Sequence, residues 1–436
     1  MTDTHLPSAQ DRNRALALAT FAFAVCFAVW TLFSIIGLSI KQQLGLSDTQ
    51  FGLLVATPVL TGSISRLFLG LWAERFGGRV VFPLQMLTTA IAVWLLTWAG
   101  SYPVFLLAAL GLGLAGGSFI VGVSYVSRWY PAARQGTALG IYGVGNIGAA
   151  VTNLGAPFLV VALGWEDTAR LYALVLAATA LLFWLLARTD PRHAAHRAGG
   201  SDLPTITQQL APLKNMQVWR FSAYYFFVFG GFVALASFLP RYYTGAWGLP
   251  LTTAGLLAGL YSLPGALFRA LGGWMSDRWG ARRVLYRVFA LSIAALLVMG
   301  YPGGRLVLQG MSGPVTFEMA VPLPLFVTVS FVLGLGMSIG SAAVYKHVPA
   351  YYPDHVGAVG GLVGMIGGLG GFFLPIAFGL LLDATGIWTA PFLLMLAVVA
   401  LVLLWMHRAV RRIARIAPAA RAARGARGTA RPIAPG

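Results

Sequence analysis

Two arginines, Arg66 and Arg269, stand deep inside hydrophobic stretches of a 436-residue chain, and no carboxylate in those stretches is placed to neutralise either. An arginine near the middle of a bilayer costs roughly 2.5 to 3.5 kcal/mol on insertion scales. Its guanidinium is a rigid, planar donor fork that stays protonated when buried, a shape and charge matched to planar oxyanions. Two such groups point to a small anion as cargo.

The two positions are related by an internal repeat. Residues 46–81 laid over 249–284 are identical at thirteen of thirty-six positions, with Gly62 over Gly265, Arg66 over Arg269, Gly70 over Gly273 and GLWAERFGGR over GWMSDRWGAR. A parallel duplication of this size builds two like halves, so one arginine comes from each.

The elements that hold them are membrane helices. With 58% hydrophobic and 10% charged residues and a mean hydropathy of +0.78, the chain is too apolar for a soluble globule. Apolar windows of about 20 residues, the length that crosses the hydrocarbon, recur six times on each side of a polar break. The expected fold is an all-α integral membrane protein, twelve transmembrane helices in two pseudo-symmetric six-helix bundles. Residues 1–188 form the first bundle, 189–215 a Pro-, Gly- and charge-bearing cytoplasmic linker, and 216–407 the second bundle. Residues 408–436 form a basic tail expected to be disordered. A second polar interruption, around 301–324, accounts for a shift in repeat register and is expected as an outer loop.

The net charge of +18 invites a nucleic-acid partner, but most of the 30 Lys and Arg fall on one side of the membrane. That is the positive-inside pattern, and it places both termini in the cytoplasm, the chain being a multi-pass protein of the cytoplasmic (inner) membrane. The tail carries eight arginines from Arg408 to Arg431 and no aromatic residue. It suits anionic lipid and not nucleic acid. The lone Cys26 gives no disulfide framework, and the six histidines give no metal set, so no cofactor or metal is expected. No nucleophile paired with a base is apparent, which argues against an enzyme.

Two segments, Gly70, Glu74, Arg75, Gly77, Arg79 and Gly273, Asp277, Arg278, Gly280, Arg282, share the pattern G-x-x-x-[DE]-R-x-G-x-R. Here the chain resembles the major facilitator superfamily. The resemblance implies that these segments join helices 2 and 3, and 8 and 9, on the cytoplasmic face, where acid and arginines form ion pairs that latch the outward-open state.

Two spans are glycine-rich. Gly140, Gly143, Gly145 and Gly148 lie in the fifth, and Gly361, Gly364, Gly368 and Gly371 continue a helical stripe from Gly357 in the eleventh. Such stripes let helix backbones approach and slide, and their presence in both halves favours a moving contact over static packing. Gly143–Gly148 also fits G-x-G-x-x-G, but without a strand before it the match carries no dinucleotide site. The pairs G-x-G-N-x-G with A-P, and G-G-L-G-G-F with L-P, resemble the signatures of the nitrate/nitrite porters. That resemblance covers residues 20–407. It implies that Arg66 and Arg269 hold the anion, that Asn146 adds a hydrogen bond, and that Tyr225, Phe229 and Phe119 wall the site.

None of the twelve acids reads as a mid-helix residue, so the usual proton-carrying carboxylate is missing. This argues against sugar or cationic-drug proton symport. Lys346 beside Tyr345, at the end of the tenth span, resembles the proton-linked branch of the family and marks Lys346 as a coupling candidate; a topology charge is the plainer alternative. The expected function is proton-coupled nitrate uptake, with nitrite as a second anion, by a monomeric alternating-access carrier. Alternatives are nitrate/nitrite antiport, a carrier for another small anion, and a membrane sensor built on the same fold.

Overall fold

The computed structural model describes residues 8–46, 48–199, 205–311 and 313–428. Ten helical stretches are long and apolar enough to span a membrane. In the first half these are α1 (Ala9–Leu44), α2 (Gln50–Phe76), α3 (Gly78–Leu96), α4 (Tyr102–Ser127) and the run Ala132–Leu186. That run leaves helical geometry at Gly164, which divides it into α5 (132–163) and α6 (165–186). The second half has α7 (Met216–Trp247), α8 (Thr253–Trp279), α10 (Leu323–Tyr351) and α11 (Val356–Thr385). The tenth stretch, Ala390–Arg412, is the apolar part of α12 (Ala390–Gly428), and α9 (Ala281–Met299), which carries three arginines in its first turns, completes the half. Twelve rods in two sets of six match the sequence expectation.

The repeat is visible in the backbone. Gly77 (φ 85°) closes α2 and Gly280 (φ 86°) closes α8, each donating its N–H back to the preceding turn, to Ala73 and Ser276 respectively. A side chain at either position would be strained in this left-handed conformation, so the motif glycine sets the sharp turn that reverses the chain. Both turns, the linker and both ends of the described chain lie on one face, called here the basic face.

Three regions depart from the expected layout. The interruption after α9 is not an irregular loop but an antiparallel hairpin of β1 (Gly304–Gly310) and β2 (Gly313–Met319), in which Arg305 pairs with Glu318 and Gly310 with Gly313. The alternation in VTFEM, opposite the short apolar run LVL, is the signal that marks it. The linker holds a helix, Pro191–Arg197, whose N-cap Asp190 accepts from the His193 N–H, and a short Thr205-capped turn, Ile206–Leu210. Residues 200–204 of it lie outside the described residues. The basic tail, expected to be disordered, continues α12 to Gly428, as an Ala- and Arg-rich segment with high helix propensity does; residues 429–436 are outside the described residues.

The halves meet mainly through α2 with α11 and α5 with α8. Lipid offers no hydrophobic drive for helix association, so close backbone approach at small residues supplies the packing. A methyl on Gly140 would stand 2.6 Å from the Arg269 carbonyl oxygen, and one on Gly361 2.7 Å from that of Arg66. Fourteen residues before each arginine, nearly on the same helix face, Gly52 and Gly255 meet no described atom within 4 Å. The bundles are therefore pressed together on the basic face and parted toward the hairpin face.

Candidate functional site

Arg66 and Arg269 converge midway along the contact between the halves, 1% and 4% exposed. Arg66 donates from Nε to the Gly116 carbonyl (3.1 Å) and from Nη1 to the Gly364 carbonyl (2.8 Å). The first acceptor lies in α4 of its own half and the second in α11 of the other. A tight 3-10 turn at Leu114–Gly117 interrupts α4 at this level. Arg269 donates from Nη2 to the Tyr225 hydroxyl (2.9 Å), within its own half. Both guanidiniums lie over the Phe229 ring, at 5.2 Å for Arg66 and 5.6 Å for Arg269, and Arg269 also lies 5.3 Å from the Phe119 ring. Cation–π contacts of desolvated guanidiniums are worth about 2 kcal/mol. Among the described residues no carboxylate pairs with either arginine.

The aromatic walls come from an irregular stretch of α7. Residues Phe226–Gly231 form a π turn, a local widening often found at functional sites. Around it Tyr225 and Phe229 stack face to face, ring centres 5.0 Å apart. Tyr345, which the sequence reading used only as a branch marker, closes the wall. Its ring meets Phe119 at 4.7 Å and Tyr225 at 4.8 Å edge-on, and its hydroxyl donates to the Gly360 carbonyl. Phe23 and Tyr142 extend the cluster behind Phe119. Asn146 sits in the 3-10 turn Val144–Ile147 of α5, and its buried Oδ1 has no hydrogen-bond partner. An amide in that state is an unspent polar group at the level of the arginines.

The glycines divide by what they face. Gly140 and Gly143 lie against the backbone and side chain of Arg269, and Gly361, Gly364 and Gly368 against Arg66 and its neighbour Ser63, all across the contact between halves. Gly145 and Gly148 lie against Phe23 and Ala24 of α1, and Gly371 against Val233 of α7, each inside its own bundle.

At the basic face each motif acid reaches across to the other half. Glu74 accepts from the Gly357 N–H at the start of α11 (2.6 Å), and Asp277 from the N–H groups of Gly136 (3.0 Å) and Thr137 (2.6 Å) at the start of α5's helical run. A carboxylate on exposed N–H groups at a helix start gains from the helix dipole as well as the hydrogen bonds. Their cationic partners correct the expectation. The resemblance implied ion pairs between the acids and the motif arginines, but Glu74 binds Arg128 (2.5 Å) and Arg192 (3.3 Å), and Asp277 binds Lys346 (2.6 Å). The motif arginines point elsewhere: Arg75 over Phe76, Arg278 over Trp274, Arg79 to Thr189 and Arg282 to Tyr351. The cations come instead from the end of α4 (Arg128), the linker helix (Arg192) and α10 (Lys346). Lys346, the coupling candidate, therefore stands in this contact between the halves, where it also donates to the Ala132 carbonyl.

The linker joins the first gate. Arg128 contacts both His193 (3.0 Å) and Asp190 (3.5 Å), His193 reaches the Glu74 carbonyl, and Arg192 spans from Glu74 to the Asp354 carbonyl in the α10–α11 turn. Burial raises the Asp190 carboxyl, but the His193 hydrogen bonds and Arg128 outweigh it and hold it below the usual carboxylate range. Among the described residues no comparable strap lies on Asp277.

The comparisons agree with this architecture. The chain matches the family model described as Major Facilitator Superfamily over residues 18–313 and again over 221–435. It is 42% identical over 416 residues, 92% of each chain, to a Thermus thermophilus protein described as "Probable nitrate/nitrite antiporter NarK1". It is 31% identical over 396 residues, 90% of this chain and 94% of the other, to the "Nitrite extrusion protein" of Bacillus subtilis (strain 168). Among solved structures it superposes on the human organic anion transporter MFSD10 (TETRAN) with a TM-score of 0.70 at 16% identity, covering 91% of this chain and 99% of that one. The fucose transporter FucP in its outward conformation gives 0.68 at 15%, covering 90% and 97%. The chain belongs to the major facilitator superfamily and, within it, to the nitrate/nitrite porter family, a family of membrane transporters and not of enzymes.

Proposed function

We propose that this protein carries nitrate and nitrite across the cytoplasmic membrane by alternating access, with the anion held between Arg66 and Arg269. The observation that carries the reading is the state of the two forks: among the described residues Arg66 Nη2 and Arg269 Nε and Nη1 make no hydrogen bond and no carboxylate balances them. A planar monoanion supplies both the charge and the acceptors that these donors lack. Phe229, Phe119 and Tyr225 exclude water, which strengthens the clamp, and Asn146 orients the anion with its free amide. The printed names of the relatives support nitrate and nitrite over other small anions.

The basic face is the cytoplasmic one on the positive-inside rule, so the described state is closed to the cytoplasm. Glu74 and Asp277 hold it closed, and Gly140, Gly143, Gly361, Gly364 and Gly368 let the backbones part when the acids release. One chain holds both arginines, so a monomer suffices. For coupling, exchange of nitrate for nitrite is favoured because no acid or histidine of the described residues touches either arginine. Proton coupling is the second reading, favoured by one observation: the Asp277–Lys346 ion pair, partly exposed, lies in the contact between the halves. Nitrate uptake into proteoliposomes tests both. Uptake driven by an imposed pH gradient supports the second, uptake driven by preloaded nitrite supports the first, and no nitrate uptake under either condition removes the proposal.

A further inference from the structure

On the basic face of the second bundle a small, open cleft of about 30 Å³ lies between the ends of α7, α9, α10 and α12. Arg220 and Arg282 line it together with His347, Tyr351, Met406 and Val410. It shares no lining residue with the arginine chamber. Among the described residues neither Arg220 nor Arg282 has a carboxylate partner, whereas Arg128, Arg170, Arg188, Arg192 and Lys346 all have one. Arg282 makes one long hydrogen bond, to the Tyr351 hydroxyl (3.3 Å), and Arg220 one, to the Met216 carbonyl (3.4 Å). The His347 ring stacks flat on Phe221, with centres 5.0 Å apart, and its nitrogens have no hydrogen-bond partner among the described residues. Two unspent guanidiniums beside the partly exposed apolar side chains of Ala409 and Val410 make a site for an anionic amphiphile.

The depth of the cleft says where that amphiphile comes from. Trp219 adjoins Arg220 and is 45% exposed, and Trp405 adjoins Met406 and is 37% exposed. Exposed tryptophans gather at the headgroup level of a bilayer. We propose that the cleft binds an anionic phospholipid, with Arg220 and Arg282 on the phosphodiester and the first acyl carbons against Ala409 and Val410. This site is independent of the nitrate reading.

The test is native mass spectrometry of the purified full chain in detergent with added phosphatidylglycerol or phosphatidylcholine. Phosphatidylglycerol adducts are expected to persist at activation energies that strip phosphatidylcholine. Arg220→Gln should weaken phosphatidylglycerol binding about fivefold and Arg220→Gln with Arg282→Gln at least about tenfold, at roughly one surface charge each. Arg220→Gln should leave anion uptake unchanged, which shows that the variant folds, and Arg283→Gln, outside the cleft, should keep its lipid. Equal retention of the two lipids, or retention of phosphatidylglycerol by the double variant, overturns the proposal. Displacement of phosphatidylglycerol by millimolar inorganic phosphate overturns it too, in favour of a soluble anion.

Discussion

The two halves carry the same residues at matching positions and spend them differently. Arg66 gives two hydrogen bonds to backbone carbonyls, one of them in the opposite half, and so takes part in holding the bundles together. Arg269 gives one, to Tyr225 beside it, and keeps more of its fork unspent. The gates differ in the same sense. Glu74 has two arginines and the docked linker around it, and Asp277 has one lysine. A duplicated sequence thus supplies two copies of one device, and the neighbours that were not duplicated decide that the first copy braces the contact while the second keeps more of its donors free.

The largest effect that separates the copies should come from lysine substitutions. Arg66→Lys and Arg269→Lys should each remove most nitrate uptake, since an ammonium lacks the bidentate fork; the loss of two charge-assisted bonds at Arg66 amounts to about a hundredfold or more. Only Arg66→Lys should also raise the accessibility of a cysteine placed on the basic face. Equal accessibility in both variants breaks the comparison. Next come the glycines. Gly361→Ala and Gly140→Ala place a methyl against backbone carbonyls and should cut uptake by about tenfold, while Gly52→Ala, which meets nothing, should transport like the parent.

Among gate residues, Lys346→Gln leaves Asp277 without a cation, whereas Arg192→Gln leaves Glu74 with Arg128. Uptake should fall severalfold more for the first than for the second, by roughly the 1–3 kcal/mol of an unpaired buried charge against almost none. The smallest effect is on the linker. Asp190 titrates below its unfolded value, so its contribution to docking is present above the ordinary carboxylate range and is lost as pH falls through the depressed value. Hydrogen exchange across 190–197 should therefore be slow at neutral pH and accelerate at strongly acidic pH, and Asp190→Asn should remove that step. An Asp190→Asn chain with the same pH step assigns it elsewhere.

What was legible in the sequence follows the range of the interactions. Arg66, Arg269 and the motif glycines could be found because a repeat and a charge in an apolar run are local signals. Gly77 and Gly280 announce their turn by type alone. The partners of Glu74 and Asp277 were not legible: Arg128, Arg192 and Lys346 come from helices far along the chain, and the nearer motif arginines were the obvious but mistaken choice. The π turn that aims Tyr225 and Phe229, and the closure of the wall by Tyr345, likewise arise from packing of helices against one another. Of the β1–β2 hairpin only the second strand shows alternation, and it lay inside what looked like a polar interruption.

The central claim is that two unneutralised forks bind one anion between the halves. Isothermal titration of nitrate into the purified protein, parent against the Arg66→Lys, Arg269→Lys double variant, tests it most directly. Saturable binding of one nitrate per chain in the parent, absent in the variant, is the predicted result; nitrate binding of unchanged affinity in the variant would contradict it.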